Sequence, residues 1–178
     1  MKQLENKIAI VTGGTRGIGF STVEAFLQEG ATVILCGSRP ESAAKAVQAL
    51  KAQDPDAKVE GISPELSDYE SVKAAFDAVA EKYGRIDILV NNAGMSDATP
   101  FVDYTPEQFQ KVMDLNVNGM FNCTRAVTDY MAEQGSGVIL NTSSMVSICG
   151  QPSGVGYPTS KFAVNGMTVS LARELGPK

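Results

Sequence analysis

Short apolar runs alternate along this chain with longer stretches in which apolar residues return at helical spacing. Ile8-Ala9-Ile10-Val11 predicts a buried first strand over residues 7–12, and the pattern after it predicts a helix over 18–29, stopped by Gly30. The β-branched run at 32–36 predicts a second strand. Pro40 fits the first position of an Ala-rich helix over 40–53, which Asp54-Pro55-Asp56 breaks. A weak strand at 58–62 follows, then a helix capped near Ser67-Asp68 and ending at Tyr83-Gly84. Residues 86–90 read as a fourth strand. Thr105 and Pro106 start a long helix reaching about residue 133, and Gly135-Ser136-Gly137 ends it. Residues 138–142 give a fifth strand, 143–156 a Ser/Gly/Pro-rich loop, and 157–175 a last helix. Strands and helices that alternate in this way predict a doubly wound parallel sheet in three α/β/α layers with right-handed crossovers. Ligands in such sheets sit beyond the carboxyl ends of the strands, so the loops after strands one, two, four and five should converge.

Composition narrows the class. A chain of 178 residues, 43% hydrophobic and 20% charged, is expected to form one globular domain spanning 1–178. A net charge of -5 argues against nucleic acid as a partner. No apolar leader and no run of membrane-spanning length is visible, so no membrane partner and a cytoplasmic location are expected. Cys36, Cys123 and Cys149 have neither zinc nor disulfide spacing and read as reduced, buried or half-buried thiols. There is no histidine, which removes Ser-His-Asp and Cys-His catalysis and histidine-ligated metals together; no metal site is expected. Proton transfer falls to Tyr, Lys, Cys, Asp or Glu.

Between the first strand and the first helix lies Thr12-Gly13-Gly14-Thr15-Arg16-Gly17-Ile18-Gly19. A glycine turn opening a helix directs backbone N–H groups at a phosphate. The spacing is G-x-x-x-G-x-G, and Phe20 after the last glycine rules out a P-loop. After strand two, Gly37-Ser38-Arg39 carries no acid before Glu41. A carboxylate there would hold a ribose 2′-hydroxyl, whereas Arg39 and Arg16 suit a 2′-phosphate, which favours NADP(H) over NAD(H). The plainer reading is two solvated arginines.

Tyr157 and Lys161 stand four apart, on one face of a helix starting near Tyr157. A lysine ammonium favours a neighbouring phenolate, so the pair can serve as an acid/base device, although such pairs also arise by chance on helix surfaces. Ser144 lies just past strand five, with Ser143 and Ser147 as competitors for any role. Leu115-Asn116-Val117-Asn118-Gly119 weakens the long helix, through either a functional kink or two solvent-facing asparagines. Asn91-Asn92-Ala93-Gly94, after the buried fourth strand, could bridge neighbouring strands through side-chain amides.

Together, Thr12 to Gly19, Asn91 to Gly94, Asn116, Ser144 and Tyr157 to Lys161 resemble the short-chain dehydrogenase/reductase family over the whole chain, in the family's order. The resemblance implies a Rossmann-like fold and hydride transfer between a nicotinamide cofactor and an alcohol or ketone. It implies Tyr157 as general acid/base and Lys161 as the group that lowers its pKa and holds the nicotinamide ribose. Ser144 would polarise the substrate oxygen, and Asn116 would hold a water linking Lys161 to solvent. Thr12, Gly13, Thr15, Arg16, Gly17, Ile18 and Gly19 would wrap the pyrophosphate, with Ser38 and Arg39 at the adenosine ribose. Glu65 and Leu66 would lie at the adenine, and Asn92, Ala93 and Gly94 near the nicotinamide ribose. Glu65 stands where the family usually has Asp. The chain also stops before the strand, lid helix and last strand that the family usually adds. The wording around Thr12–Phe20 and 154–161 resembles bacterial hydroxysteroid dehydrogenases of the bile-acid type and also 3-oxoacyl-carrier-protein reductases. Met145, Val146, Ile148 and Cys149 would form an apolar wall suited to either substrate, with the hydroxysteroid preferred. A homotetramer or homodimer, with the Asn116 and Tyr157 helices at one interface, is the family's habit. The competing class is a module that holds the cofactor without turnover.

Overall fold

The computed structural model describes residues 2–178. Its parallel sheet runs in the order β3-β2-β1-β4-β5, formed by Val59–Ile62, Thr32–Cys36, Ile8–Thr12, Ile88–Asn91 and Val138–Asn141 respectively. The β1–β2 register is Ile8 to Thr32 through Thr12 to Cys36, and Asn91 of β4 faces Asn141 of β5.

Both faces of the central strands are buried, which explains their unbroken apolar runs. Side chains alternate between the faces. Ile8, Ile10, Ile34 and Leu89 pack against α3 (Tyr69–Tyr83) and α5 (Gly119–Gln134) through Val72, Phe76, Cys123 and Val127. Ala9, Val11, Val33 and Leu35 pack against α1 (Gly17–Gln28) and α2 (Pro40–Gln53) through Val23, Ala43, Ala46 and Leu50.

Two expected elements differ. The long helix is three pieces: α4 (Pro106–Met113), a π-helical turn over Asp114–Asn118, and α5. The expected loop over 143–156 contains a short helix, α6 (Val146–Cys149), ahead of α7 (Gly156–Leu175). Its outer face leaves Cys149 exposed, so only Cys36 and Cys123 are the buried thiols expected. No helix among the described residues is long and apolar enough to cross a membrane, and no cluster of His, Cys, Asp or Glu among them could hold a metal.

Strand order reverses between β1 and β4, and ligands of open α/β sheets bind at such a point. The two strand ends are locked there by side chains. The Thr12 hydroxyl accepts hydrogen bonds from the Asn92 and Ala93 N–H groups, both at 3.0 Å. The Asn92 amide donates back to the Thr12 and Gly13 carbonyls.

Candidate active site

A cleft of about 1120 Å³ opens beyond the ends of β1, β2 and β4. Gly13, Thr15, Arg16, Gly17, Ile18, Ser38, Arg39, Glu65, Leu66, Asn92, Ala93 and Gly94, all expected at a cofactor, line it. Thr12 and Gly19 are buried behind it instead. A Cβ at Gly19 would collide with the Gly13 carbonyl oxygen and the Asn92 amide, so glycine there lets α1 seat on the turn. Gly17 has φ +56° and nothing within 4 Å of the place a Cβ would take.

The cleft fits a dinucleotide pyrophosphate. Arg16, the N-cap of α1, makes no side-chain capping bond, and no acid stands in the first turn. The first N–H groups of α1 are therefore uncapped by the chain at the point where Gly17 leaves open space, and an anion there would complete them. The Glu65 carboxylate is turned into its own loop, accepting from the Ser67 N–H at 3.2 Å and the Ser67 hydroxyl at 2.8 Å.

Next to the cleft, Asn116, Tyr157 and Lys161 come together. A Cβ on Gly94 would lie 3.2 Å from Asn116 Oδ1 and 3.8 Å from Lys161 Nζ. Asn116 is 2% exposed, so it is not the solvent-facing alternative, whereas Asn118 is exposed. Its amide accepts from the Met95 N–H at 2.8 Å, donates to the Met95 carbonyl at 2.8 Å, and donates to Ser160 Oγ at 2.9 Å. Ser160, fully buried, donates to the Tyr157 carbonyl at 2.7 Å. The π turn thus carries the side chain that ties the loop after β4 to the first turn of α7. Functional sites often carry such an extra residue in a helix.

Lys161 is 5% exposed; its Nζ donates to the Thr142 carbonyl at 2.7 Å and lies 5.7 Å from the centre of the half-buried Tyr157 ring. Burial pushes the pKa of its ammonium below the usual lysine value. Behind this pair, Asn91 donates to Asn141 Oδ1 at 2.9 Å and to the Thr124 hydroxyl at 3.0 Å, the expected amide bridge between strands.

The three serines separate by their partners. Ser143 donates to Asn165 Oδ1 at 2.6 Å, and Ser147 donates to the Ser144 carbonyl at 2.6 Å while accepting from the Asn165 amide at 2.9 Å. Ser144 Oγ accepts one long bond from the Val146 N–H, at 3.4 Å, and donates to nothing among the described residues. Its hydroxyl hydrogen remains free for a ligand, two residues beyond the Thr142 carbonyl that holds Lys161. Met145 and Ile148 beside it are each 82% exposed.

The second side of this region is a clasp. Tyr104 donates to Asp97 Oδ2 at 2.7 Å, and Gln151 donates to the Asp97 carbonyl at 3.2 Å. Burial, then the bond to Asp97, pushes the Tyr104 pKa up to about 12. Sequence reading missed this clasp, Ser160, and the cleft-lining residues Ser42, Lys45, Ala46 and Ala49. The last four share the spacing of one helix face, which is a legible signal.

A family model described as short chain dehydrogenase matches residues 7–178. A 3alpha-hydroxysteroid dehydrogenase of Mediterraneibacter gnavus is 61% identical over 173 residues, which cover 97% of this chain and 69% of that protein. A 3-oxoacyl-acyl-carrier-protein reductase, FabG, of Thermotoga maritima is 39% identical, over 97% of this chain and 70% of its own. The crystal structure of NAD+-bound xylitol dehydrogenase aligns with TM-score 0.93 at 32% identity, covering 99% of this chain and 67% of that one.

Proposed function

This chain belongs to the short-chain dehydrogenase family of oxidoreductases acting on hydroxyl groups, and from that premise we propose that it interconverts a secondary alcohol and a ketone with NADP(H), its substrate a hydroxysteroid. The observation that carries the reading is the Tyr157–Lys161 pair at the end of β5, beside a Ser144 hydroxyl with no hydrogen-bond acceptor of its own among the described residues.

When bound, the nicotinamide supplies the hydride that reaches the substrate carbon. Tyr157 gives its phenolic proton to the substrate oxygen in the reducing direction and recovers it in the oxidising one. Lys161, fixed by the Thr142 carbonyl, places a positive charge beside the phenolate this leaves and would hold the nicotinamide ribose. Ser144 donates to the same substrate oxygen. Asn116 sits in the π turn, and a water held there would lead from Lys161 to solvent.

The exposed Met145 and Ile148 offer a steroid an apolar wall, and 61% identity to a protein named as a 3alpha-hydroxysteroid dehydrogenase supports that substrate class. The same wall fits an acyl chain, so 3-oxoacyl-thioester reduction is the second reading. Arg16, Arg39 and the absence of an acid at the end of β2 support NADP(H). Exposed Phe121 on α5 and Phe162 and Val169 on α7 support a homo-oligomer that covers these helices. A cytoplasmic setting completes the reading, in keeping with three free thiols.

The test is NADPH oxidation with a steroid ketone and with a 3-oxoacyl thioester, run beside Tyr157→Phe. Steroid turnover that falls about 10²-fold or more in the variant supports the reading. Turnover with the thioester alone selects the second substrate. A cofactor-induced rise in melting temperature with neither substrate turned over identifies a binding module.

A further inference from the structure

Three cations line the cleft: Arg16 at the start of α1, Arg39 at the start of α2, and Lys45 six residues further along α2. None of them is within ion-pair distance of a carboxylate among the described residues, whereas Lys7, Lys73, Lys82, Arg85 and Arg125 all are. Three cations without counter-ions around one cleft, in a chain of net charge -5, leave a local positive field that an anion would complete. The one carboxylate lining the cleft, Glu65, is held by Ser67 in its own loop.

We propose that Lys45 is a third cation for the adenosine 2′-phosphate, acting with Arg16 and Arg39, and that it sets part of the preference for NADP(H). This rests on the NADP(H) reading above. Six residues of α-helix separate Arg39 and Lys45 by about 9 Å along the axis. Helical side chains lean toward the N-terminus, so Lys45 leans toward the end of α2 where Arg39 stands, and both line the same cleft. Its apolar stem lies on the face of α2 that carries Ala46 and Ala49. The strand end itself offers no rival for a 2′-hydroxyl. A Cβ at Gly37 would stand 2.9 Å from both Ser42 Oγ and Thr15 Cγ2, so a carboxylate side chain there would need both to shift. Glu41, the nearest acid on α2, is exposed and does not line the cleft.

The experiment measures dissociation constants of NADPH and NADH, and of adenosine 2′,5′-bisphosphate and AMP, for the wild type, Lys45→Met and Lys45→Arg. Lys45→Met should weaken NADPH and the bisphosphate about tenfold, as loss of one charge-assisted contact does, and leave NADH and AMP within about twofold. Lys45→Arg should keep the preference. Lys45 is exposed, so melting temperatures should agree and the comparison stays clean. A wild type that binds NADPH no better than NADH overturns the NADP(H) reading and this proposal with it. A wild type that prefers NADPH, with Lys45→Met unchanged, overturns this proposal alone.

Discussion

Lys161 Nζ sits 2.7 Å from the carbonyl oxygen of Thr142, in the residue after the last strand. One hydrogen bond to a neutral acceptor does not repay the hydration a buried ammonium gives up, so burial lowers its pKa. A lysine whose folded pKa lies below its unfolded value destabilises the fold while it is charged. That cost is fully present below the folded pKa and fades as pH rises from there toward the unfolded value near 10.4. Lys161→Met should therefore melt at the same temperature as the wild type or higher at pH 7, with the gap narrowing in alkaline buffer, while turnover falls. A variant that melts well below the wild type at pH 7 would show that the Thr142 bond outweighs burial.

Ser143 and Ser144 should exchange roles under substitution. Ser143→Ala removes a 2.6 Å bond to Asn165 and should cost about 1 kcal/mol in urea unfolding with turnover largely kept. Ser144→Ala loses little that the fold uses, so stability should hold while kcat drops at least tenfold. The opposite pattern would move the substrate contact to Ser143.

Glycines 17 and 19 separate binding from folding. Gly19→Ala places a methyl group against the Gly13 carbonyl and the Asn92 amide and should destabilise by about 1–3 kcal/mol, an overpacking cost. Gly17→Ala meets no atom, and its positive φ costs about 1 kcal/mol, but the methyl intrudes where a pyrophosphate would lie. Its main effect should be a tenfold or greater loss of dinucleotide affinity by titration calorimetry. Equal affinities for Gly17→Ala and the wild type would remove this turn from the cofactor site.

Asp87 contributes to acid stability. Its carboxylate accepts from the Ile8 N–H at 2.9 Å, Arg85 Nε at 2.9 Å and Lys7 Nζ at 3.4 Å. Burial pushes its pKa up, but the Arg85 bond, the Ile8 N–H and the two cations outweigh burial and hold it below the usual carboxylate value. A depressed folded pKa stabilises above the unfolded value near 3.9 and loses that contribution as pH falls through the folded pKa. Asp87→Asn should cost about 2 kcal/mol at pH 7 and progressively less as pH falls below the unfolded carboxylate value, read from urea midpoints across the acid range. A cost that does not change with pH would locate the effect in packing rather than charge.

How far the sequence carried depends on where each signal lies. Strand 32–36 and helix 40–53 have the bounds expected of them, because Gly30, Pro40 and Asp54-Pro55 punctuate the chain locally. The π turn was half legible. Asn116-Val117-Asn118-Gly119 advertised a weak helix, but what fixes it is the bond to Met95, 21 residues away, and no local pattern shows that. The four residues of α6 are too few to show a helical period, so the sequence does not mark Cys149 as lying on an exposed face. Choosing among Ser143, Ser144 and Ser147 required knowing that Asn165 occupies two of them. Ser160 gave no signal at all, since a serine beside a lysine on a helix is ordinary until its neighbour across the fold is known.

The uneven placement of the cysteines turns this chain into its own clock. Burial pushes the Cys123 thiol up to about 12 and the Cys36 thiol well above its usual value, whereas Cys149 is exposed. A thiol reagent added at neutral pH should consume one equivalent at once and two more only as fast as the core opens. Cys36 lies on β2 and Cys123 on α5, so labelling at these two positions times the opening of the core that holds the sheet to its helices, and any ligand that closes the molecule should slow both without touching the first equivalent.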